Sequence, residues 1–254
     1  MIPVKDNIAS EGFPLVTIAL IVANFVVYIL AIRHGGSFIS GPDLHEVVKY
    51  GSIPRVLTHC LTGHEVTRVV PGGYAIACAH SGGLPTWETV FTAMFMHASI
   101  IHIGGNMLFL WIFGNNVEDA LGHLKYLAFY ILGGIAALAL QVAVAPGSTA
   151  PTLGASGAIA AVLGAYILLY PRARVLTLVI IIFFFTVIEI PAWVMLGVWF
   201  ALQAAYGAVG LTNPTGAGGG VAYFAHIGGF AFGLLVIRAL VRRRKEVPPP
   251  HPVY

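Results

Sequence analysis

Apolar residues run along this chain in blocks separated by shorter polar stretches, near 14–33, 89–113, 126–145, 153–170, 191–208 and 221–240. As helices rising about 1.5 Å per residue, such blocks are long enough to cross a hydrocarbon layer of about 30 Å. The pattern predicts an all-α membrane protein, a bundle of six transmembrane helices. A long polar stretch, 34–88, follows the first block. The first block exceeds a signal-peptide core and no small-residue cleavage site follows, so it reads as a retained helix. The expected organisation is an N-terminal segment at 1–13, a membrane domain at 14–241 and a basic, proline-rich tail at 242–254.

One segment resists this division. Residues 175–190, VLTLVIIIFFFTVIEI, run into 191–208 and make about 34 apolar residues, too many for one span of about 20. If the segment crosses, there are seven spans. If it lies at the interface or along the bundle, there are six. Two polar residues arbitrate. Ser156, in Gly154-Ala155-Ser156-Gly157, opens the fourth block, and His226, in Ala225-His226-Ile227-Gly228-Gly229, opens the sixth. With one span between them both residues lie at similar depth; with two, they end near opposite faces, about 20 Å apart. Charge agrees with six. Arg172, Arg174 and the Arg242-Arg243-Arg244-Lys245 run then share one side, which the positive-inside rule makes cytoplasmic. Both termini are expected there, and Ser156 and His226 near the outer face.

Composition strengthens the membrane reading. The chain is 58% hydrophobic and 9% charged, with mean hydropathy +0.87. A soluble domain carries about 25% charged residues, so a water-soluble globule is excluded. The net charge of +3 matters only through its location, and nothing in it calls for nucleic acid.

The chemistry follows from proximity. A serine hydroxyl beside an imidazole makes a nucleophile and its general base, and an ionisable residue in a membrane span marks a functional site. Small residues give two helices the close approach this needs: Gly154, Gly157, Ala161 and Gly164 on one, Ala222, Gly229 and Gly233 on the other. In the second block, His102 and Asn106 are four apart and share a helical face, supplying the N–H donors an oxyanion hole requires. His97, five residues before His102, points elsewhere on that helix. Glu118, Asp119 and Glu189 lie toward the cytoplasmic side, so a Ser–His dyad is more economical than a triad.

Together, His97-x4-His102-x3-Asn106, Gly154-Ala155-Ser156-Gly157 and Ala225-His226-x-x-Gly229-x3-Gly233 resemble the rhomboid family of intramembrane serine proteases over roughly residues 10–241. The resemblance implies a six-helix bundle with a water-accessible cavity, Ser156 as nucleophile and His226 as general base. It implies an oxyanion hole of His102, Asn106 and the Ser156 backbone N–H, and a structural role for His97. It implies single-span membrane proteins as substrates, entering past Trp193, Trp199 and Phe200, and, through prokaryotic members, a prokaryotic plasma membrane. No cofactor is implied. Two positions depart from the family pattern. Trp87-Glu88 stands where some members have Trp-Arg, and Ala160 replaces a tyrosine that stacks on the histidine in some members, so His226 must be oriented otherwise.

Two other readings stay open. His97, His102 and His226 could ligate haem or a metal, although the spacing of five opposes shared ligation from one face and this reading leaves the Gly-Ala-Ser-Gly motif unexplained. A rhomboid-like binder without activity would be expected to lack the serine or the histidine. Outside the membrane, HEVVK and HEVTR begin like zinc-protease motifs but lack the second histidine. His59, Cys60, His64, Cys78 and His80 could hold a structural metal, but their spacing fits no standard zinc pattern. A Cys60–Cys78 disulfide or a merely polar loop is preferred.

Overall fold

A strand, not a helix, begins the chain in the computed structural model, which describes residues 2–60, 64–70, 73–79, 85–181, 184–212 and 221–241, with 64–70 and 73–79 described by backbone alone. Strand β1 (Ile2–Asp6) leads to helix α1 (Leu15–Ile32). The connection that follows holds α2 (Leu44–Tyr50), α3 (Pro54–His59), the hairpin β2 (His64–Val70) and β3 (Gly73–Ala79), a 3₁₀ turn at Thr86–Glu88 and the short α4 (Thr89–Thr92). Then come α5 (Ile100–Leu121), α6 (His123–Val144) and α7 (Ser156–Leu169), a second hairpin of β4 (Arg174–Ile181) and β5 (Phe184–Pro191), and finally α8 (Ala192–Thr212) and α9 (Tyr223–Leu240).

Among the described residues, α1, α6, α8 and α9 are long and apolar enough to cross a membrane. The apolar α7 has 14 residues, about 21 Å and shorter than the hydrocarbon layer. It is enclosed by α5, α6, α8 and α9, and its residues from Gly157 to Tyr166 are buried without interruption. The helix bearing Ser156 is therefore the axis of the core, and the longer helices stand around it.

The five strands correct the expectation of an all-α chain. Segment 175–190 forms most of the β4–β5 hairpin, whose strands pair antiparallel from Arg174↔Pro191 to Ile181↔Phe184. The physical reason is in the residues. Val175, Thr177, Val179, Ile180, Ile181, Thr186, Val187, Ile188 and Ile190 are β-branched, which favours a pleated strand over a helix. Strand β1 adds to β4, giving the order β1-β4-β5. The polar connection after α1 is likewise structured, with β2 paired to β3.

A further correction concerns the second block. Residues 89–113 are not one helix: α4 ends at Thr92, and α5 starts only at Ile100 and runs on to Leu121. Ser99 sets that start, its Oγ accepting the His102 backbone N–H at 3.1 Å as an N-cap does. At the other end, Gly122 at φ +78° turns the chain from α5 into α6. The basic run at 242–245 and the proline-rich tail lie outside the described residues.

Candidate active site

Helices α7 and α9 meet through their glycines. A Cβ on Gly229 would come within 2.0 Å of the Gly157 carbonyl oxygen, and one on Gly233 within 2.1 Å of the Ala161 carbonyl oxygen. A Cβ on Gly164 would meet the Phe230 carbonyl oxygen at 2.2 Å. No side chain fits there, so backbone lies on backbone. That contact brings the first residue of α7 to the first turn of α9. Ser156 Oγ and His226 Nε2 are 2.8 Å apart, both half-buried.

A residue that sequence reasoning passed over completes the arrangement. Gln203 of α8 places its Oε1 2.8 Å from His226 Nδ1, while its Nε2 donates to the Trp199 carbonyl oxygen at 3.4 Å. An amide oxygen only accepts, so Nδ1 carries the imidazole proton and the Nε2 lone pair faces the serine hydroxyl. The Trp199 ring lies 5.8 Å from the imidazole at 37°. With an alanine at position 160 and no ring there, a glutamine and a tryptophan from α8 orient the histidine. A second overlooked amide, Gln141 of α6, accepts the Ala225 N–H at 3.2 Å and so secures the start of α9. Each lies alone among apolar residues of its helix, and that isolation was the available signal.

The second-block residues gather on the other side of Ser156. His102 Nδ1 accepts the Ala98 N–H at 3.5 Å, which leaves Nε2 as the ring's donor. Asn106 Nδ2 is buried with no acceptor among the described residues. Gly154 fits between them and Ser156 because it lacks a side chain. It adopts φ +118°, and a Cβ would come 2.9 Å from His102 Cε1 and Nε2. The uncapped N-terminus of α7 adds the Ser156 backbone N–H. His102, Asn106, Gly154, Ser156, Trp199 and His226 all line one cavity of about 640 Å³.

His97 does not point away from His102 as helical spacing suggested. It precedes the Ser99 cap, so that spacing does not apply, and the two rings stand edge to face 5.1 Å apart. Fully buried, His97 accepts the Ala155 N–H at Nε2 (3.4 Å), and its Nδ1 lies 3.3 Å from the Phe95 carbonyl oxygen. It thus pins the backbone just before Ser156. Elsewhere, the His59 ring bonds to Thr58 Oγ1 and the Arg55 carbonyl oxygen. Cys60 is disulfide-bonded, which removes its sulfur from any ligand set; the chain's other cysteine is Cys78. The side chains of His64 and Cys78, and His80 altogether, lie outside the described residues. No three His, Cys, Asp or Glu side chains gather as metal ligands among the described residues.

Fold and site define a helical membrane protein with a hydrogen-bonded serine–histidine pair lining a cavity. The family model of the Rhomboid domain matches residues 85–243, more than half of the chain. The chain belongs to the rhomboid family, whose members are generally intramembrane serine proteases.

Among its relatives, Rhomboid protein 1, mitochondrial, of Saccharomyces cerevisiae is 32% identical over 62% of this chain and 44% of its own length. Presenilin-associated rhomboid-like protein, mitochondrial, of Homo sapiens is 35% identical over 36% of this chain and 25% of its own. Rhomboid-like protein 11, chloroplastic, of Arabidopsis thaliana is 37% identical over 30% of this chain and 26% of its own. The matches thus span less than half the length of these relatives. The mitochondrial and chloroplast proteins correct the expectation of a prokaryotic plasma membrane and point to an organellar one.

Proposed function

We propose that this chain is an intramembrane serine endopeptidase, acting through a Ser156–His226 dyad on single-span membrane proteins in an organellar membrane. In this reading α5 and α7 cross together with α1, α6, α8 and α9, giving six spans. Both chain ends lie on the side of Arg172 and Arg174, and the cavity opens toward the opposite face.

The observation that carries the reading is the 2.8 Å contact between Ser156 Oγ and His226 Nε2, with the ring's other nitrogen held by Gln203. Ser156 Oγ attacks the scissile carbonyl carbon as His226 Nε2 takes the hydroxyl proton. The developing oxyanion accepts hydrogen bonds from His102 Nε2, Asn106 Nδ2 and the Ser156 backbone N–H. Collapse breaks the peptide C–N bond, and His226 returns the proton to the departing amine. Water then attacks the acyl ester by the same proton route, releasing the carboxylate and restoring Ser156. A donor already buried and without an acceptor among the described residues, as Asn106 Nδ2 is, needs no reorganisation to serve the oxyanion.

The test is cleavage of a single-span substrate bearing small residues in its span, co-reconstituted with the protein in liposomes. Wild type should release the two fragments, and Ser156→Ala and His226→Ala should release none while keeping the wild-type melting temperature. Asn106→Ala should slow cleavage roughly 10²- to 10³-fold. Cleavage surviving in Ser156→Ala would end the proposal.

A further inference from the structure

We infer that Gln203 is a positioning residue for His226, holding the imidazole in the one tautomer that lets Ser156 lose its proton. The inference rests on the proposed dyad and adds to it a residue from a third helix.

Three observations converge. First, polarity is fixed from the backbone outward. The Trp199 carbonyl takes the Gln203 amide N–H, which turns Oε1 toward His226 Nδ1 and leaves Nε2 free for the serine. Second, Gln203 is the sole amide side chain in α8, in a span where an unneeded polar group is costly. Third, Ala160 offers the imidazole no aromatic face from α7, so the ring is supported from α8, by Gln203 at its edge and Trp199 beside its plane. Without the Gln203 oxygen, Nδ1 has no fixed acceptor, and the imidazole is free to present N–H rather than lone pair to the serine.

Helix α8 is also the least buried of the four long apolar helices, with 17% of its residues there buried against 28–33% for the others.

The experiment compares Gln203→Met and Gln203→Glu with wild type. Both preserve the length of the side chain; only glutamate preserves the acceptor. Full-chain protein in detergent is labelled with a fluorescent fluorophosphonate, and substrate cleavage in liposomes is resolved into kcat and KM. A positioning role predicts that Met slows labelling and kcat roughly 10- to 100-fold with KM unchanged, and that Glu stays within about threefold of wild type. A packing role predicts the reverse, since methionine fills the space and a carboxylate does not suit it. Met as active as wild type would overturn the inference. A wild type that neither labels nor cleaves would instead fault the dyad reading, so the two failures are distinguishable.

Discussion

Asp6 shows how one residue outside the spans secures the nucleophile's helix. It closes β1, is 7% exposed, and its Oδ2 accepts from Asn116 Nδ2 at 2.7 Å and the Tyr166 hydroxyl at 2.5 Å. Tyr166 lies ten residues beyond Ser156 on α7, so this bond ties the far end of that helix to α5 and to the sheet. Burial lifts the Asp6 carboxyl from 3.8 to about 6 despite the donors that oppose the rise. A pKa raised by folding means the folded chain holds the proton more tightly. The stabilisation is fully present below about pH 4 and lost as pH rises through about 6, up to roughly 3 kcal/mol. Melting curves between pH 4 and 7 should therefore fall more steeply for wild type than for Asp6→Asn; parallel curves would refute the assignment. Gly154 makes a second prediction at this scale. Gly154→Ala meets both a positive φ and the His102 ring, so it should lose activity and about 1–3 kcal/mol of stability. Unchanged melting and cleavage would contradict that. Ser156, His226, His102 and Asn106 were legible because polar groups at matched depth in apolar sequence demand a reason. Gln203 and Gln141 were missed because a lone amide has no partner spacing to read, and its partner lies on another helix.

At the scale of elements, the α7–α9 contact was written in the glycines. Gly164, Gly229 and Gly233 each stand where a Cβ would strike the backbone of the partner helix, while one on Gly157 would strike Ala137 of α6. Gly229→Ala must push the helices apart, at a cost of about 1–3 kcal/mol, and should separate Ser156 from His226. The expected outcome is a lower melting temperature with cleavage abolished; a fully active variant would mean the contact is not tight. The hairpin at β4–β5 was not legible as such, because hydropathy registers apolar length and not secondary structure. Its β-branched composition was the signal that hydropathy overrode. The break at residues 93–99 was hidden similarly, since an apolar block carries on through a helix start that Ser99 alone marks. On the proposed function, α8, the least buried of the four long apolar helices, is the element expected to move when a protein substrate enters. The Tyr206 ring of α8 stacks on Tyr223 of α9 at 5.5 Å. Replacing both with cysteine and cross-linking them should slow cleavage of a membrane substrate roughly tenfold or more while leaving fluorophosphonate labelling intact. Cleavage unaffected by the cross-link would argue that α8 stays still.

Across the whole molecule, the short α7 at the centre of longer helices gives the architecture its use. Its 14 residues place the Ser156 hydroxyl at the wall of a 640 Å³ cavity; on the proposed function, hydrolytic water and a membrane-borne peptide meet there. The rhomboid family membership agrees with this arrangement, while the organellar relatives replace a location expected from the resemblance to prokaryotic members, which does not encode a compartment. The central claim is that Ser156 is an activated nucleophile, and it meets its most direct test in fluorophosphonate labelling of the folded, full-length protein in detergent. The account predicts covalent labelling of wild type that disappears in both Ser156→Ala and His226→Ala, with all three proteins melting alike. Labelling that persists in Ser156→Ala would contradict it.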